Sequence, residues 1–480
     1  MLSADDPARL DLSPAEMKRM LDAASARVLD HLARVGGQHA RGDVDTARDR
    51  ALCRAMREGL PEQGSAIEPL LDAYFDEWLP KTLTTNGPGY LAYVPGGGIF
   101  PAAIADLVAD TTNRFTGTWF GAPPLVQLEA NALDWLRDLM GFPESTRGLF
   151  TTGGSMATFN GIVCAREKLL GTRIREGVLY TSTQAHHSVV KSARLAGIAA
   201  DRVRAIAVDG AFRMRVDALE AAIATDRAAG LVPFLVVSSA GTTNTGAVDP
   251  MRAIASVCAR EGAWHHVDGA YGAFFHSCPE LEPLLDGLSL ADSLTLDPHK
   301  GLFLPYGTGA LLVREGAALR AVHASTADYL PGSAPSDIYD PSEHGPDLSR
   351  GFPGFRVWLV LKTFGMARLR AAIAEKRALA VDAAERIATI QGITMAAPPQ
   401  LSLFAFHRSW PGATRDEENR ATKKLLDDVA ARGRVLLSGC VLPASIGGAQ
   451  RQLARVCVLS FRTRKQDLDA CVDEIRTAVG

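Results

Sequence analysis

Apolar positions recur at helical spacing near the start of the chain. Over 13–36, Met17, Met20, Leu21, Ala24, Val28, Leu29 and Leu32 fall three and four residues apart, and Ser13-Pro14 is a good helix start. A second such stretch covers 65–79, where Ser65 as N-cap and Glu68 three residues on predict a capping box. The segment 80–98 is interrupted by Pro80, Pro88, Pro95 and Gly96-Gly97-Gly98, and reads as linker or loop. Residues 1–95 are therefore expected to form an N-terminal helical arm. Such an arm seldom buries its apolar face alone, so it is expected to pack on a partner subunit.

The pattern changes from about 148 to 314. Short β-branched and apolar runs at 148–152, 177–182, 203–208, 234–239, 263–267, 292–296 and 309–313 alternate with amphipathic stretches at 155–170, 188–197, 216–229 and 250–261. Alternating β and α elements predict an α/β fold, with a mostly parallel sheet of seven strands covered by helices. In such sheets ligands bind beyond the carboxyl ends of the strands. Residues 320–350 lack periodicity and are rich in Pro, Gly, Ser and Asp, as a long loop or lid is. Helical patterns return after 355, with strand-like pieces at 401–406, 434–436 and 455–461. The expected division is an arm over 1–95, a large domain over 96–354 and a small C-terminal α+β domain over 355–480.

Composition narrows the function class. The 480 residues are 47% hydrophobic and 22% charged with a formal net charge of −3, which gives no electrostatic case for nucleic acid or a membrane surface. The longest apolar runs are too short to span a bilayer, and no apolar signal core opens the chain. The seven cysteines are odd in number and form no CxxC, so neither a disulfide framework nor a thiolate metal site is expected, and a reducing cytoplasm fits.

Three segments carry candidate chemistry. TTGGSMA at 151–157 ends a strand and opens a helix. Gly154 and Ser155 there can hold a phosphate, because a new helix has free N–H groups and a favourable dipole. The same tripeptide also makes an ordinary turn. Asp268 ends the apolar strand of HHVDGAY and either faces a ligand or caps the next element. Lys300 follows a strand in DPHKG; Pro and Gly hold it in place, and desolvation there suits a Schiff-base lysine. A single such lysine is ordinarily a solvated surface residue, but the order of phosphate turn, strand-end acid and lysine is not ordinary. His186, after the strand at 177–182, either stacks on a flat ring, acts as acid or base, or simply caps a helix. Thr242, ending the strand at 234–239, is placed to donate into the same cleft.

Together these stretches resemble the group II pyridoxal-phosphate (PLP)-dependent amino-acid decarboxylases, the aromatic-L-amino-acid enzymes among them. The matches are GYLAYVPGGG at 89–98, TTGGSMAT at 151–158, QAHHS at 184–188, AGTTNTGAVD at 240–249, HVDGAYG at 266–272, DPHKG at 297–301 and LSRGF at 348–352, in the family's order. The resemblance implies the fold type I of PLP-dependent transferases and an obligate homodimer with active sites at its interface. It implies that Lys300 carries the cofactor as a Schiff base, Asp268 pairs with the pyridine nitrogen, and His186 stacks on one ring face with Ala270 on the other. Gly154 and Ser155 would bind the phosphate with His299 nearby, and Thr242 would line the ring edge. Met156 stands where some members have an acid, so that contact does not carry over.

The resemblance also implies a mobile lid, here 323–347, whose tyrosine returns a proton to Cα. Tyr329 and Tyr339 both lie in it, and Tyr339 falls nearer the expected place. Tyr93, Pro95 and Trp119 are the expected substrate-pocket residues, apolar and flat as an aromatic side chain requires, although Gly117 replaces an aromatic wall residue and aromatics of this kind also build cores. The expected function is decarboxylation of an L-amino acid, aromatic in the first instance, to amine and CO2. An aldehyde synthase, a decarboxylase of an acidic or aliphatic amino acid, and a non-catalytic metabolite-binding α/β protein stay open. No metal site is expected.

Overall fold

Seven of the predicted runs pair into one sheet. The computed structural model describes residues 10–324, 335, 338–443 and 449–480. The strands are β1 (Arg147–Thr151), β2 (Gly177–Ser182), β3 (Val203–Ile206), β4 (Val232–Ser239), β5 (Trp264–Asp268), β6 (Ser293–Leu296) and β7 (Gly309–Val313), in the spatial order β1-β7-β6-β5-β4-β2-β3. Pairing is parallel from β3 to β6, and β7 runs antiparallel to both β6 and β1. The reversal has a simple cause. The connection from β6 to β7 holds only the four-residue helix Pro298–Gly301, too little chain to cross a sheet face and start a parallel strand.

Alternation along the strands divides the core. Leu311 and Val313 of β7 point to one face, with Leu179, Leu235 and Val237, beneath the helix Gly154–Leu169. Ala310 and Leu312 point to the other, with Val267, Leu294 and Leu296. A second sheet, β8 (Ile393–Met395), β9 (Leu403–Arg408), β10 (Ser438–Leu442) and β11 (Arg451–Cys457), is antiparallel in the order β10-β11-β9-β8. Helices Arg415–Arg432 and Lys465–Val479 cover it. The helix Pro353–Ala388 reaches from the large core to the small one and kinks at Gly365, whose φ of 69° an L side chain resists.

Three local expectations are corrected. Ser13 does close a capping box with Glu16, but Ser65 does not cap the next helix. That helix runs Ile67–Asp72 behind Ala66, and Glu68 pairs with Arg19 of the first helix as well as with its own backbone N–H. The segment after Lys81 runs as a loop to Gly98, as expected, with its residues 89–92 packed inside. Tyr90, Leu91 and Ala92 are buried, and Leu91 donates to Leu436 O (3.0 Å) while accepting from the Cys457 amide (2.9 Å). The piece at 434–436 is no strand; Leu436 makes a single bridge to Tyr90. The strand-like run placed at 455–461 is centred earlier, on Arg451–Cys457.

The helix Pro14–Arg34 buries none of its residues, and Met17, Leu21 and Leu29 are exposed. All seven cysteines are unpaired. Among the described residues no helix is long and apolar enough to cross a membrane, and no cluster of His, Cys, Asp or Glu is arranged for a metal ion.

Candidate active site

The carboxyl ends of β1, β2, β4, β5 and β6 surround a cleft of about 400 Å3, within the range of small-ligand sites. Lys300, His299 and Asp297 come from the turn after β6, Asp268 and Ala270 from the end of β5, and His186 from the turn after β2. Thr152, Gly153, Gly154, Ser155 and Met156 form the strand–helix turn, and Thr242 follows β4. The sheet thus gathers residues scattered over 150 positions into one pocket, because each sits at the same end of a neighbouring strand.

Lys300 Nζ lies 2.8 Å from Asp297 Oδ2, and His299 Nε2 lies 3.5 Å from the same oxygen. The other ring nitrogen of His299, Nδ1, faces Thr308 O at 2.9 Å. Asp268 accepts the Ala270 amide (3.2 Å); burial raises its pKa and the nearby Lys300 charge opposes that. His186 shares a 2.7 Å hydrogen bond between Nδ1 and Ser188 Oγ. Burial, then His187 and Lys300, depress its pKa to about 4, so the ring is neutral at physiological pH. Thr242 lines the wall, but its hydroxyl is occupied by Thr245 Oγ1 (3.0 Å) and the Ala247 amide (3.1 Å). These bonds tie the hydroxyl into the loop at 242–247.

The residues present suit a phosphorylated pyridine aldehyde. At Gly154 a Cβ would stand 2.9 Å from Ala270 Cβ and 3.0 Å from Asp297 Oδ2, so the turn is a cradle that only glycine leaves open. The first turn of the helix Gly154–Leu169 presents its N–H groups there. Asp297 Oδ1 is buried without a partner, as a polar atom facing an absent ligand is. The Lys300 amine and the buried Asp268 carboxylate line the same cleft and complete the match.

Comparison with known proteins agrees. Residues 51–409 match the pyridoxal-dependent decarboxylase conserved domain. An aromatic-L-amino-acid decarboxylase of Bacillus atrophaeus is 32% identical over 463 residues, 96% of this chain and 94% of that protein. The chain belongs to the pyridoxal-dependent decarboxylase family. This decarboxylase is also 29% identical to the 4-hydroxyphenylacetaldehyde synthase of Rhodiola rosea, over 79% of each chain. The crystal structure of Oryza sativa TDC with PLP and tryptamine superposes with a TM-score of 0.91 at 25% identity, covering 98% of this chain and 99% of that one. The fold is therefore type I, the cofactor is pyridoxal phosphate, and the enzyme is a carboxy-lyase.

The structure does not bring every expected residue of this decarboxylase into the pocket. Tyr93 and Val94 line it, but Pro95 is buried behind them. Trp119 lies elsewhere, its amide donating to Asp340 Oδ2 (3.0 Å). Tyr339 packs on His344 with ring centroids 5.0 Å apart, near the Glu129–Arg350 ion pair and the start of β1, the far end of the strand from the cleft. Tyr329 lies outside the described residues. Contacts of the 115–120 and 339–350 segments with each other place Trp119 and Tyr339; Arg350, for example, donates to Thr116 O (3.2 Å).

Two lining residues were not singled out beforehand. Asp297 stood inside the quoted DPHKG motif, where an acid before proline at a strand end was visible. Arg455 comes from β11, and a charge within that buried apolar strand was its signal. Each nitrogen of its guanidinium makes one bond, donating to Ser438 Oγ (2.8 Å), Asn244 O (3.1 Å) and Thr243 O. Ser438 Oγ also accepts the Tyr93 amide (3.0 Å), which holds Tyr93 at a φ of 52° at the pocket mouth.

Proposed function

We propose that this decarboxylase acts on an aromatic L-amino acid, releasing CO2 and the amine, with Lys300 as the cofactor-bearing residue. The observation that carries the reading is the Lys300 amine in a cleft between the open Gly154 turn and the Asp268 carboxylate. Gly154 and Ser155 would hold the phosphate, Asp268 would face the ring nitrogen, His186 and Ala270 would cover the ring, and Thr242 and His299 would close its edges. Bound there, pyridoxal phosphate supplies a sink for the electron pair left when CO2 departs.

The chain's own groups favour loss of the carboxylate. Arg455 is the one arginine lining the described pocket, and all its nitrogens are engaged by protein oxygens. Those bonds hold the guanidinium on the loop at Thr243 and Asn244 and on Ser438, which works against its turning to pair with a substrate carboxylate and stabilise the ground state. Lys300 and the Ala270 amide favour the Asp268 carboxylate against its burial, and that carboxylate would hold a proton on a ring nitrogen facing it. The neutral His186 ring stacks without adding charge. The aromatic preference is supported by Tyr93 and Val94 at the mouth and by the Bacillus atrophaeus relative's name.

A homodimer fits the same reading. Phe100, Ile104, Leu107 and Val108 lie along one exposed face of the helix Phe100–Thr112, and the arm's apolar residues are likewise uncovered in a single chain. Sedimentation of the pure protein tests it; a monomer at micromolar concentration rejects it. The aldehyde synthase reading is favoured by the Rhodiola rosea relative and by Tyr339 lying outside the cleft.

One preparation tests these statements. The holoenzyme is expected to absorb in the near-visible, and borohydride is expected to fix the cofactor on the Lys300 peptide. A screen of amino acids for CO2, amine, aldehyde and peroxide then assigns substrate and outcome. A colourless protein, or a fixed peptide without Lys300, rejects the assignment.

A further inference from the structure

Asp297 stands between two basic groups and satisfies only one of its oxygens. Oδ2 is 2.8 Å from Lys300 Nζ and 3.5 Å from His299 Nε2, while the buried Oδ1 has no partner. The residue is 1% exposed, so water does not serve it. In the empty enzyme the Lys300 ammonium faces it with three N–H donors. Cofactor loading removes them. The amine nitrogen forms a C=N bond to the aldehyde carbon, the carbonyl oxygen leaves as water, and at most one N–H remains, in the plane of the new double bond.

The next neighbour, His299, cannot replace that donor as it stands. Its Nδ1 faces the Thr308 carbonyl oxygen, which only accepts, so Nδ1 carries the hydrogen. In the neutral ring Nε2 is then a bare acceptor turned toward a carboxylate acceptor. One proton converts this contact into a hydrogen bond. The same proton lessens a second conflict, because Asp297 Oδ2 adjoins the Gly154 turn that receives the phosphate anion.

The other charged groups around Asp297 do not remove the need. Asp268 is a second acid, Arg455 is held by Ser438, Thr243 and Asn244, and His186 is bonded to Ser188 and neutral. Burial and the Lys300 charge hold the His299 pKa down while Asp297 raises it.

We propose that loading the cofactor onto Lys300 draws one proton from solvent into the Asp297–His299 pair, Asp297 exchanging the Lys300 ammonium for a proton shared with His299. Asp297 is in this sense a positioning residue. The proposal rests on Lys300 being the carrier.

The test is calorimetric titration of cofactor-stripped protein with pyridoxal phosphate at pH 8, in two buffers of different ionisation enthalpy, which counts protons. Protons exchanged by the cofactor's own phosphate and ring nitrogen are common to all variants. Wild type is expected to take up about one proton per site more than Asp297→Asn, whose amide donates without needing one. Should Asp297→Asn fail to load, His299→Gln makes the same comparison, its amide donating to the carboxylate, and is again expected to fall short of wild type by that proton. Equal counts with a normal near-visible band overturn this proposal alone. A wild-type chain with no such band overturns the Lys300 reading and this proposal together.

Discussion

Replacing Gly154 by alanine places one methyl group where the cofactor cradle is narrowest. The new Cβ would stand 2.9 Å from Ala270 Cβ, 3.0 Å from Asp297 Oδ2 and 3.3 Å from Thr295 Cγ2. Three contacts shorter than ordinary van der Waals separation, from three elements, cannot be relieved by one rotamer. The walls must part by tenths of an ångström, at a cost of about 1–3 kcal/mol as for other overpacked sites. Alanine returns less than about 1 kcal/mol through helix propensity, because the site is the first residue of the helix Gly154–Leu169. Ala270 and Asp297 are the groups displaced, so the penalty falls on cofactor binding. Roughly 5- to 150-fold weaker binding follows from that energy. Titrating stripped Gly154→Ala and wild type with pyridoxal phosphate, followed in the near-visible, measures it, and a melt of the stripped proteins separates binding from folding. Affinity within twofold of wild type, with an unchanged melt, would show that the Gly154 turn is not the cradle.

Lys300→Ala is expected to abolish turnover and the near-visible band while the stripped protein melts like wild type; retained activity rejects the carrier role. His265 and His266, buried in β5 and bonded to Ser238, Ser293 and Thr295, have pKa values held near 3 by burial. Their folded pKa lies below the unfolded 6.5, so on acidification the unfolded chain binds these protons first and stability falls from pH 6.5 downward, by up to about 2.7 kcal/mol per pH unit for the two. Asp249, raised to about 6 by burial, opposes this by at most about 1.4 kcal/mol per unit between pH 4 and 6. Urea midpoints at pH 7 and 5 are therefore expected to differ, and His266→Gln to reduce the difference; a flat profile rejects the account. Arg350→Met leaves the fully buried Glu129 without its 2.6 Å partner and is expected to cost about 3–5 kcal/mol, much of it regained by adding Glu129→Leu, as paired melts would reveal. Tyr339→Phe is expected to keep amine formation within a few-fold, since its hydroxyl lies away from the cleft; a collapse of turnover would return Tyr339 to the chemistry.

Much of the large sheet was legible because its strands are short apolar runs set off by turns and helices, and period alone locates them. β2 and β7 came out at the expected residues, and the other five within a residue or two. The reversal of β7 was not legible, since it depends on how little chain separates it from β6. Lys300, Asp268, His186 and the Gly154 turn were legible as strand-end residues, and the parallel sheet is what makes strand ends converge. The lid and pocket wall were not. Trp119 and Tyr339 sit in irregular segments whose course is set by partners hundreds of residues away, such as Asp340 for Trp119.

By itself the order of apolar and polar residues, with seven motifs in sequence, determined the fold class and the family and singled out Lys300 as the candidate carrier. Those are properties of local periodicity and of residues adjacent along the chain. Only the tertiary structure decided that Asp297 faces both Lys300 and His299, that Arg455 reaches the cleft from the small sheet with every nitrogen already engaged, and that Thr242 turns its hydroxyl inward. Hydrogen-bond partners are selected by distances of a few ångströms between segments far apart in sequence, and no spacing along the chain encodes them.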